Sequence, residues 1–261
     1  MWHGRENETA ESIPGRSTTL TARLFCATWA WKRSSATRPL CCARRSVAEV
    51  WRRLVGLGFR LLYNELAFTY DWVSSVVSLG AWRCWQRAAL PHLNAPPGSR
   101  VLELAHGTGN LQLDLYALGY IPIGCDQSPH MGRIARRKLS RRGLPPRLAR
   151  GQAQRLPFPS ASFPAIVCTF PTDFIFQPET LRETHRVLCG GGRLVIVPNG
   201  VLTGSGPADR LIEWLYRITG QRGGSGINIA SFFEVYGFEA HIAQQDCPRS
   251  LAQVIIARKK P

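Results

Sequence analysis

Residues 101–110 read VLELAHGTGN, an apolar run that ends in a loop with two glycines one residue apart. A short apolar run followed by Gly-x-Gly is typical of a strand and loop that hold a nucleotide-like ligand. No Gly-Lys-Ser or Gly-Lys-Thr follows, which excludes a P-loop. Ala105 stands where such loops often begin with glycine, and we expect it to keep the ordinary dihedral angles of a strand.

The acidic residue Glu103 lies beside this loop and separates two classes of ligand. A carboxylate close to the pyrophosphate of a dinucleotide would repel it across a partly desolvated gap. S-adenosyl-L-methionine carries an ammonium and a sulfonium instead, and a carboxylate attracts both. Asp126 follows the next apolar run at the distance expected of an acid that binds ribose hydroxyls. An NAD-dependent enzyme remains an alternative, which Glu103 disfavours.

The rest of the chain alternates strand and helix patterns. Strand-like apolar runs occupy 100–105, 120–125, 146–151, 163–170, 193–199, 238–244 and 252–259, and helical patterns occupy 109–118, 128–142, 178–188, 206–219 and 229–236. This order predicts an α/β, Rossmann-like, doubly wound and mostly parallel seven-stranded sheet, whose last two strands form an antiparallel edge hairpin. Ligands of such sheets bind at the carboxyl ends of the strands, where the Gly-x-Gly loop lies.

Three segments are expected along the chain. Residues 1–48 have little hydrophobic periodicity, and we expect them to be disordered, a targeting segment or a non-native extension. Residues 49–97 have helical periodicity and form an N-terminal helical cap. Residues 98–261 form the ligand-binding domain. Charged residues break the most apolar stretch, so we expect no membrane-spanning helix and a cytoplasmic protein.

The net charge of +16 is concentrated in two places. Residues 1–60 carry eleven basic and four acidic side chains, and residues 127–172 carry nine basic and no acidic ones. Aromatic residues do not interleave with the second group as base stacking requires, so we do not expect a nucleic-acid partner. The basic, Trp-rich N-terminal region favours peripheral contact with a membrane surface instead.

The cysteine and histidine pattern indicates neither a disulfide framework nor a metal site. The eight cysteines form no CxxC pair, and several lie in strand-like apolar runs. We therefore expect buried free thiols in a reducing cytoplasm. His, Cys and carboxylates do not cluster with ligand spacing, so we expect no metal.

Three further motifs extend the pattern beyond the loop: GCDQSPHM at 124–131, GQAQRLPFPSASF at 151–163 and LRETHRVLCGGGRLVIV at 181–197. With VLELAHGTGN, they resemble the class I S-adenosylmethionine-dependent methyltransferases, in particular the methyltransferase type 11 group. The resemblance covers residues 98–261. Gln152 departs from the family pattern by replacing the aspartate that accepts from the adenine amino group.

The resemblance implies a set of cofactor-binding residues. Asp126 would bind the ribose, Gln152 the adenine edge, and His106 would contact the cofactor through its backbone, with a solvent-exposed ring as the alternative. The full set is Glu103, Ala105, His106, Gly107, Thr108, Gly109, Asp126, Gln127, Met131, Gln152, Ala153, Gln154, Thr169 and Phe170.

Residues 63–85 look more loosely like the segment that precedes the core in quinone and phospholipid methyltransferases. By that match Tyr70 lines the cofactor pocket, while Asp71 holds its helix in place. Asp173 follows the fourth strand and would orient the acceptor or act as a base, with a helix cap as the alternative. Tyr70 and Asp173 are thus the two catalytic candidates.

Aromatic and apolar residues near these positions indicate the class of acceptor. They predict an apolar pocket for a small hydrophobic, quinone-like or lipid-like acceptor, and they are Leu66, Phe68, Trp82, Trp85, Phe170, Phe174 and Phe176. Two other functions remain open. One is a catalytically degenerate S-adenosylmethionine-binding protein, favoured by Ala105, Gln152 and Pro164, and the other is a basic RNA methyltransferase.

Overall fold

The computed structural model describes residues 56–58, 69–218 and 228–260. The expectations for residues 1–48, and for most of 49–68, fall outside these ranges. The described part of the cap contains helices α1 (Tyr70–Val77) and α2 (Trp82–Arg87) and a 3₁₀ turn at Leu90–His92.

Strands and helices then alternate. The strands are β1 (Arg100–Leu104), β2 (Ile121–Asp126), β3 (Leu148–Arg150), β4 (Phe163–Thr169), β5 (Leu188–Val197), β6 (Gly200–Leu202), β7 (Phe238–Cys247) and β8 (Ser250–Lys259). The helices are α3 (Asn110–Ala117), α4 (Pro129–Ser140), α5 (Pro178–Val187), α6 (Pro207–Ile218) and α7 (Ile229–Glu234), with a 3₁₀ turn at Asp173–Phe176.

These strands form one sheet, which confirms the predicted fold class. Strands β3, β2, β1, β4 and β5 are parallel neighbours in that order, and β8 is antiparallel to both β5 and β7. The described part has eight strands rather than seven because β6 continues the line of β5 along the same edge of β8. Ile196 of β5 pairs with Ile255, and Gly200 of β6 pairs with Ala252.

The central strands carry apolar side chains on both faces, as a buried parallel sheet requires. Leu102 and Leu104 of β1 belong to the core on the face of α5 and α7. Val101 belongs to the core on the other face, with Leu111 and Leu115 of α3 and with the cap. Because β1 is covered on both faces, the loop that follows it is held at a fixed place.

Helix α2 is fixed to the sheet by an indole ring. Trp85 is 1% exposed, and its Nε1 donates a hydrogen bond to Ser250 Oγ at 2.9 Å. Gly200 lies under this ring so closely that a β-carbon there would overlap the indole. Arg83 and Arg87 of the same helix form ion pairs with Asp114 of α3.

A disulfide between Cys84 and Cys247 also fixes α2, which corrects the expectation of free thiols at these two positions. The Cα atoms lie 5.9 Å apart although 163 positions separate the residues in sequence. Packing of the cap against the end of β7 brings them together, and residue spacing does not reveal such packing. Cys125 and Cys168 are free and buried as expected, and Cys189 is free and half-buried.

None of the helices in the described part of the chain is long and apolar enough to cross a bilayer.

We expect Cys84→Ser to lower the free energy of unfolding by about 2–4 kcal/mol, because the disulfide restricts the unfolded chain. Urea unfolding without reductant measures this change, and Cys189→Ser, which removes a free thiol, serves as the control. Reductant should bring the wild type to the stability of the variant. If reductant leaves the wild type unchanged, the two cysteines are not bonded in the protein.

Candidate active site

The loop between β1 and α3 has three residues in left-handed conformation. Ala105 has φ +52°, Gly107 +52° and Gly109 +77°. The expectation that Ala105 keeps strand dihedral angles is therefore wrong: the chain leaves the strand at this residue, and the exposed methyl group makes the left-handed conformation strained. A β-carbon on Gly107 would meet no atom of residues 56–58, 69–218 or 228–260 within 4 Å, so open space borders this part of the loop.

Gly109 is required by close packing as well as by its dihedral angle. A β-carbon at this position would lie 2.9 Å from Cβ of Ala135 in α4. The start of α3 therefore touches the middle of α4. This contact fixes the distance between the two helices that follow β1 and β2.

The carboxylate of Asp126, the last residue of β2, binds two backbone amides. Gly107 N–H donates to Oδ2 at 2.9 Å, and Ser128 N–H donates to Oδ1 at 2.7 Å. Ser128 caps α4, with its hydroxyl accepting from Met131 N–H at 3.3 Å. Because each carboxylate oxygen can accept a second bond, Asp126 can still receive a pair of hydroxyls.

Glu103 faces inward and is 1% exposed. Its Oε2 accepts from Gln112 Nε2 at 2.6 Å, and Gln112 Oε1 is buried with no partner among the described residues. Burial raises the pKa of the Glu103 carboxyl to about 8, and the charges of Asp126 and Asp114 add to the rise, while the Gln112 bond opposes it. At neutral pH this group therefore holds its proton, and a nearby cation would favour the ionised form.

His106 is 4% exposed, so the alternative of a solvent-exposed ring is wrong. The ring lies against Gly124 of β2, and Nδ1 is 2.9 Å from the carbonyl oxygen of Gly107. Burial lowers the pKa of His106, which keeps the imidazole neutral at physiological pH. The ring therefore supports the loop from its buried side, next to β2.

The stretch after β3 lies next to Asp126. Gly151 N–H donates to the carbonyl of Asp126 at 3.1 Å, and Gln152 is exposed in the turn that follows. Ala153 packs against the core, and Gln154 Nε2 donates to Gln177 Oε1 at 2.7 Å. Gln152 is thus the member of this group whose side chain reaches the surface near the end of β2.

Aromatic rings meet at the end of β4. Thr169 ends the strand, and Phe170 follows with φ +51°. The Phe170 ring stacks on Trp82 of the cap, with centroids 3.8 Å apart, and Tyr70 contacts Trp82 edge-on, with centroids 6.1 Å apart. The structure thus brings Tyr70 close to Phe170, which stands next to the Gly-x-Gly loop.

Two of the predicted pocket aromatics pack elsewhere. Phe174 and Phe176 contact the core on the opposite face of the sheet, where Phe176 lies 6.2 Å from Phe232 between ring centroids. The 3₁₀ turn directs them there, so their assignment to the acceptor pocket is wrong. Leu66 and Phe68 lie outside the described residues.

Three further predicted site residues differ in exposure. Asp173 is exposed at the first position of the 3₁₀ turn, and its side chain makes no hydrogen bond within the ranges described. Gln127 is exposed and Met131 is buried. Among residues 56–58, 69–218 and 228–260, His, Cys and carboxylate side chains form no group of three or more that could hold a metal ion.

A polar network joins the cap to the loop; the sequence patterns single out Asp71 and Thr108 but not Asn110 or Lys138. Asp71 Oδ1 accepts from Thr108 Oγ1 at 2.6 Å and from Asn110 Nδ2 at 2.9 Å, and Oδ2 accepts from Lys138 Nζ at 2.8 Å. These bonds lower the pKa of Asp71 against the opposing effect of burial. Helix α1 is therefore tied to both α3 and α4.

Comparison with known proteins identifies the family. A methyltransferase-domain family model matches residues 101–192. The demethylmenaquinone methyltransferase of Thermus thermophilus is 39% identical over 139 residues, which are 52% of this chain and 63% of the relative. The enzyme of the same name from Thermobifida fusca is 33% identical over 161 residues, or 60% of this chain and 67% of the relative.

The chain belongs to the class I S-adenosylmethionine-dependent methyltransferases. It covers less than two thirds of the Thermus thermophilus relative. A solved structure agrees in fold: geranyl diphosphate C-methyltransferase from Streptomyces coelicolor, in complex with Mg²⁺, geranyl diphosphate and S-adenosyl-L-homocysteine. It has a TM-score of 0.52 at 13% identity, and the match covers 68% of this chain and 79% of that one.

In this methyltransferase, Ala105→Gly should raise the free energy of unfolding by about 0.5–1 kcal/mol, because glycine relieves the left-handed strain. Ala161, exposed with φ +49°, offers a matched control outside the loop. Ala161→Gly should stabilise by a similar amount without altering ligand binding at the loop. Urea unfolding of both variants measures the effect, and a loss of stability in Ala105→Gly would contradict the assigned conformation.

Glu103 should make stability depend on pH. Since burial raises its pKa from 4.5 to about 8, the unfolded chain loses this proton first as pH rises. The folded state therefore loses stability between about pH 5 and 8, at up to roughly 1.4 kcal/mol per pH unit.

Glu103→Gln should remove this contribution to the pH dependence of stability, because the amide does not titrate. Unfolding free energies of wild type and variant, measured at intervals from pH 5 to 9, give the difference. A constant difference over this range would show that Glu103 does not titrate as expected.

Proposed function

We propose that this chain transfers a methyl group from S-adenosyl-L-methionine to a small hydrophobic, quinone-like acceptor. One observation carries the proposal: the groups that fit the cofactor and the aromatic rings that fit the acceptor lie together at the carboxyl ends of three neighbouring strands. Asp126 after β2 holds the Gly-x-Gly loop after β1, and Phe170 after β4 stacks on Trp82. The names of the relatives from Thermus thermophilus and Thermobifida fusca support the same acceptor class.

The residues around the loop fit this cofactor. Open space borders Gly107, where a bound ligand could approach the backbone. Asp126 retains acceptor sites for two ribose hydroxyls, and Gln152 can accept from an adenine amino group through its amide oxygen. A bound ammonium would favour the ionised form of Glu103, and that charge, together with the Oε1 atom of Gln112, which has no partner among the described residues, would attract the ammonium end.

The aromatic pair fits a flat acceptor ring. Trp82 and Phe170 are nearly parallel, with 23° between their planes, and such faces favour offset stacking with another planar ring. Trp82 Nε1 is buried and has no hydrogen-bond partner in the part of the chain that the structure describes. We propose that it donates to an oxygen on the acceptor ring, which would orient the ring relative to the loop.

When bound, S-adenosyl-L-methionine supplies its methyl group as an electrophile. An acceptor ring carbon attacks it, a carbon–carbon bond forms, the sulfur–carbon bond breaks, and the electron pair stays on sulfur. The ring carbon must be electron-rich, so we propose that the reduced, hydroquinone form is the substrate. The ring carbon then loses its proton, and we propose Asp173 as the base, with Tyr70 lining the site against Trp82.

Two expectations about location stay predictions. One is a cytoplasmic protein, and the other is peripheral membrane contact through the basic, Trp-rich N-terminal region. The residues on which the second rests lie almost entirely outside the described ranges. We do not propose RNA as the acceptor, although the basic segment 127–172 makes it the alternative to test.

Calorimetric titration of the full chain with S-adenosyl-L-methionine, S-adenosyl-L-homocysteine and NAD tests the cofactor. Asp126→Ala should weaken binding of both adenosyl ligands at least about tenfold, because it removes two charge-assisted hydrogen bonds to the ligand and the anchor of Gly107. Asp246→Ala, which removes an exposed carboxylate on β7, is the matched control and should bind as the wild type does. Binding of NAD alone would overturn the cofactor assignment.

Transfer of a radiolabelled methyl group tests the acceptor. Label should appear in reduced demethylmenaquinone and much less in the oxidised form, because only the reduced ring is nucleophilic. Trp82→Phe keeps the stack and removes the donor, and it should raise KM more than it lowers kcat. Label in RNA alone would overturn the acceptor class, and cofactor binding without transfer to any acceptor would favour the catalytically degenerate binding protein.

A further inference from the structure

Exposed apolar side chains are concentrated on two helices. Six of the ten large apolar side chains that are exposed in the described part of the chain belong to α1, the turn after it, and α6. They are Trp72, Val76, Leu79, Leu211, Trp214 and Leu215, and we call their surface the α1–α6 face. Trp72 is 70% exposed and Trp214 51% exposed. Single exposed apolar residues are ordinary, but a concentration that includes two tryptophans indicates an interaction surface.

The spacing of these residues shows that each group forms one outward stripe. Trp72 and Val76 are four residues apart in α1, and Leu211, Trp214 and Leu215 follow at intervals of three and one in α6, which places each group on one side of its helix. Leu79 lies in the turn that follows α1. The opposite sides are buried: Ser74 of α1 is 4% exposed, and Asp209 and Tyr216 of α6 are 1% and 8% exposed.

The two stripes belong to adjoining helices. Tyr216 Oη of α6 donates a hydrogen bond to the carbonyl oxygen of Val77, the last residue of α1, at 2.9 Å. The inner sides of both helices therefore pack on the same part of the protein, and their apolar outer sides form neighbouring parts of its surface.

A basic helix borders this face. Lys138 of α4 forms an ion pair with Asp71 of α1 at 2.8 Å, so α4 lies next to α1. No acidic residue occurs between 127 and 172. The exposed basic side chains of α4 and the turn after it are Arg133, Arg136, Arg137, Arg141 and Arg142.

We propose that the α1–α6 face, together with these arginines, docks on the surface of an anionic phospholipid bilayer. Tryptophan rings prefer the interface between headgroups and acyl chains, and arginines attract anionic headgroups. The positive charge of α4 favours an anionic lipid surface as the partner rather than a neutral apolar one. Tyr70 at the start of α1 faces Trp82, so docking would bring the aromatic stack close to the bilayer.

Co-sedimentation of the full chain with vesicles tests the proposal, and it requires neither cofactor nor acceptor. We expect binding to vesicles of phosphatidylcholine with a quarter phosphatidylglycerol, weaker binding to phosphatidylcholine alone, and loss of binding at high salt. The double variant Trp72→Ser, Trp214→Ser should bind anionic vesicles about tenfold more weakly, since it removes both interfacial rings. Arg136→Gln with Arg141→Gln should also bind more weakly and lose part of the salt dependence.

Matched controls lie elsewhere on the surface. Val235→Ser with Ile242→Ser removes two exposed apolar side chains outside the face, and Arg182→Gln removes an exposed arginine of α5. Both should bind vesicles as the wild type does. Urea unfolding of every variant, compared with the wild type, excludes loss of folding as the cause of weaker binding.

Three results would overturn the proposal. The first is equal binding by wild type and by the Trp72→Ser, Trp214→Ser variant, which would assign any lipid contact to another part of the chain. The second is equal binding to anionic and neutral vesicles. The third is absence of vesicle binding together with a wild-type dimer that this variant converts to monomer, which would show that a second copy covers the face. Methyl-transfer activity enters none of these outcomes, so they are separate from a failure of the proposed function.

Discussion

The two hydrogen bonds that the Asp126 carboxylate accepts hold the functional end of the sheet together. One comes from the loop after β1 and the other from the start of α4 after β2, so a single side chain fixes two strand ends and the first turn of a helix. The bonds join charged oxygens to backbone amides, which makes them stronger than neutral ones. Loss of the carboxylate would leave an amide of a left-handed residue without its partner.

Much of the fold could be predicted because apolar periodicity reports directly on burial. The mostly apolar run at 100–105 predicts β1, and the strand–helix alternation around it predicts a parallel sheet, whose strands are buried on both faces. The break between β5 and β6 could not be predicted. Pro198 and Asn199 interrupt the ladder, yet Gly200 resumes pairing on the same edge of β8, and only the long partner strand makes that continuation possible. The Cys84–Cys247 disulfide could not be predicted for a related reason. No local sequence pattern shows which helix packs on a hairpin that is distant in sequence.

The candidate site was predicted unevenly, and the difference follows from what each motif encodes. The sequence motifs placed Asp126 and the glycines correctly at one edge of the sheet, because strand ends of a parallel sheet must meet there. Alanine disfavours the left-handed conformation that Ala105 adopts. Local propensity therefore predicts the wrong backbone conformation at this position of the binding loop. The inward orientation of Phe174 and Phe176 depends on a 3₁₀ turn, whose direction the spacing of aromatics does not encode.

The two cap helices are attached to the domain in different ways. Helix α2 is held by a covalent bond, a fully buried indole and two ion pairs with Asp114. Among the described residues, helix α1 is held by the hydrogen bonds of one half-exposed carboxylate, Asp71, by the ring contact of Tyr70 with Trp82, and by Tyr216 near its end. Elements with few buried contacts open at lower free energy than the structure as a whole. Since most of the described contacts of α1 are polar and partly exposed, we expect local unfolding to release α1 from the Gly-x-Gly loop at lower free energy than α2 or the sheet.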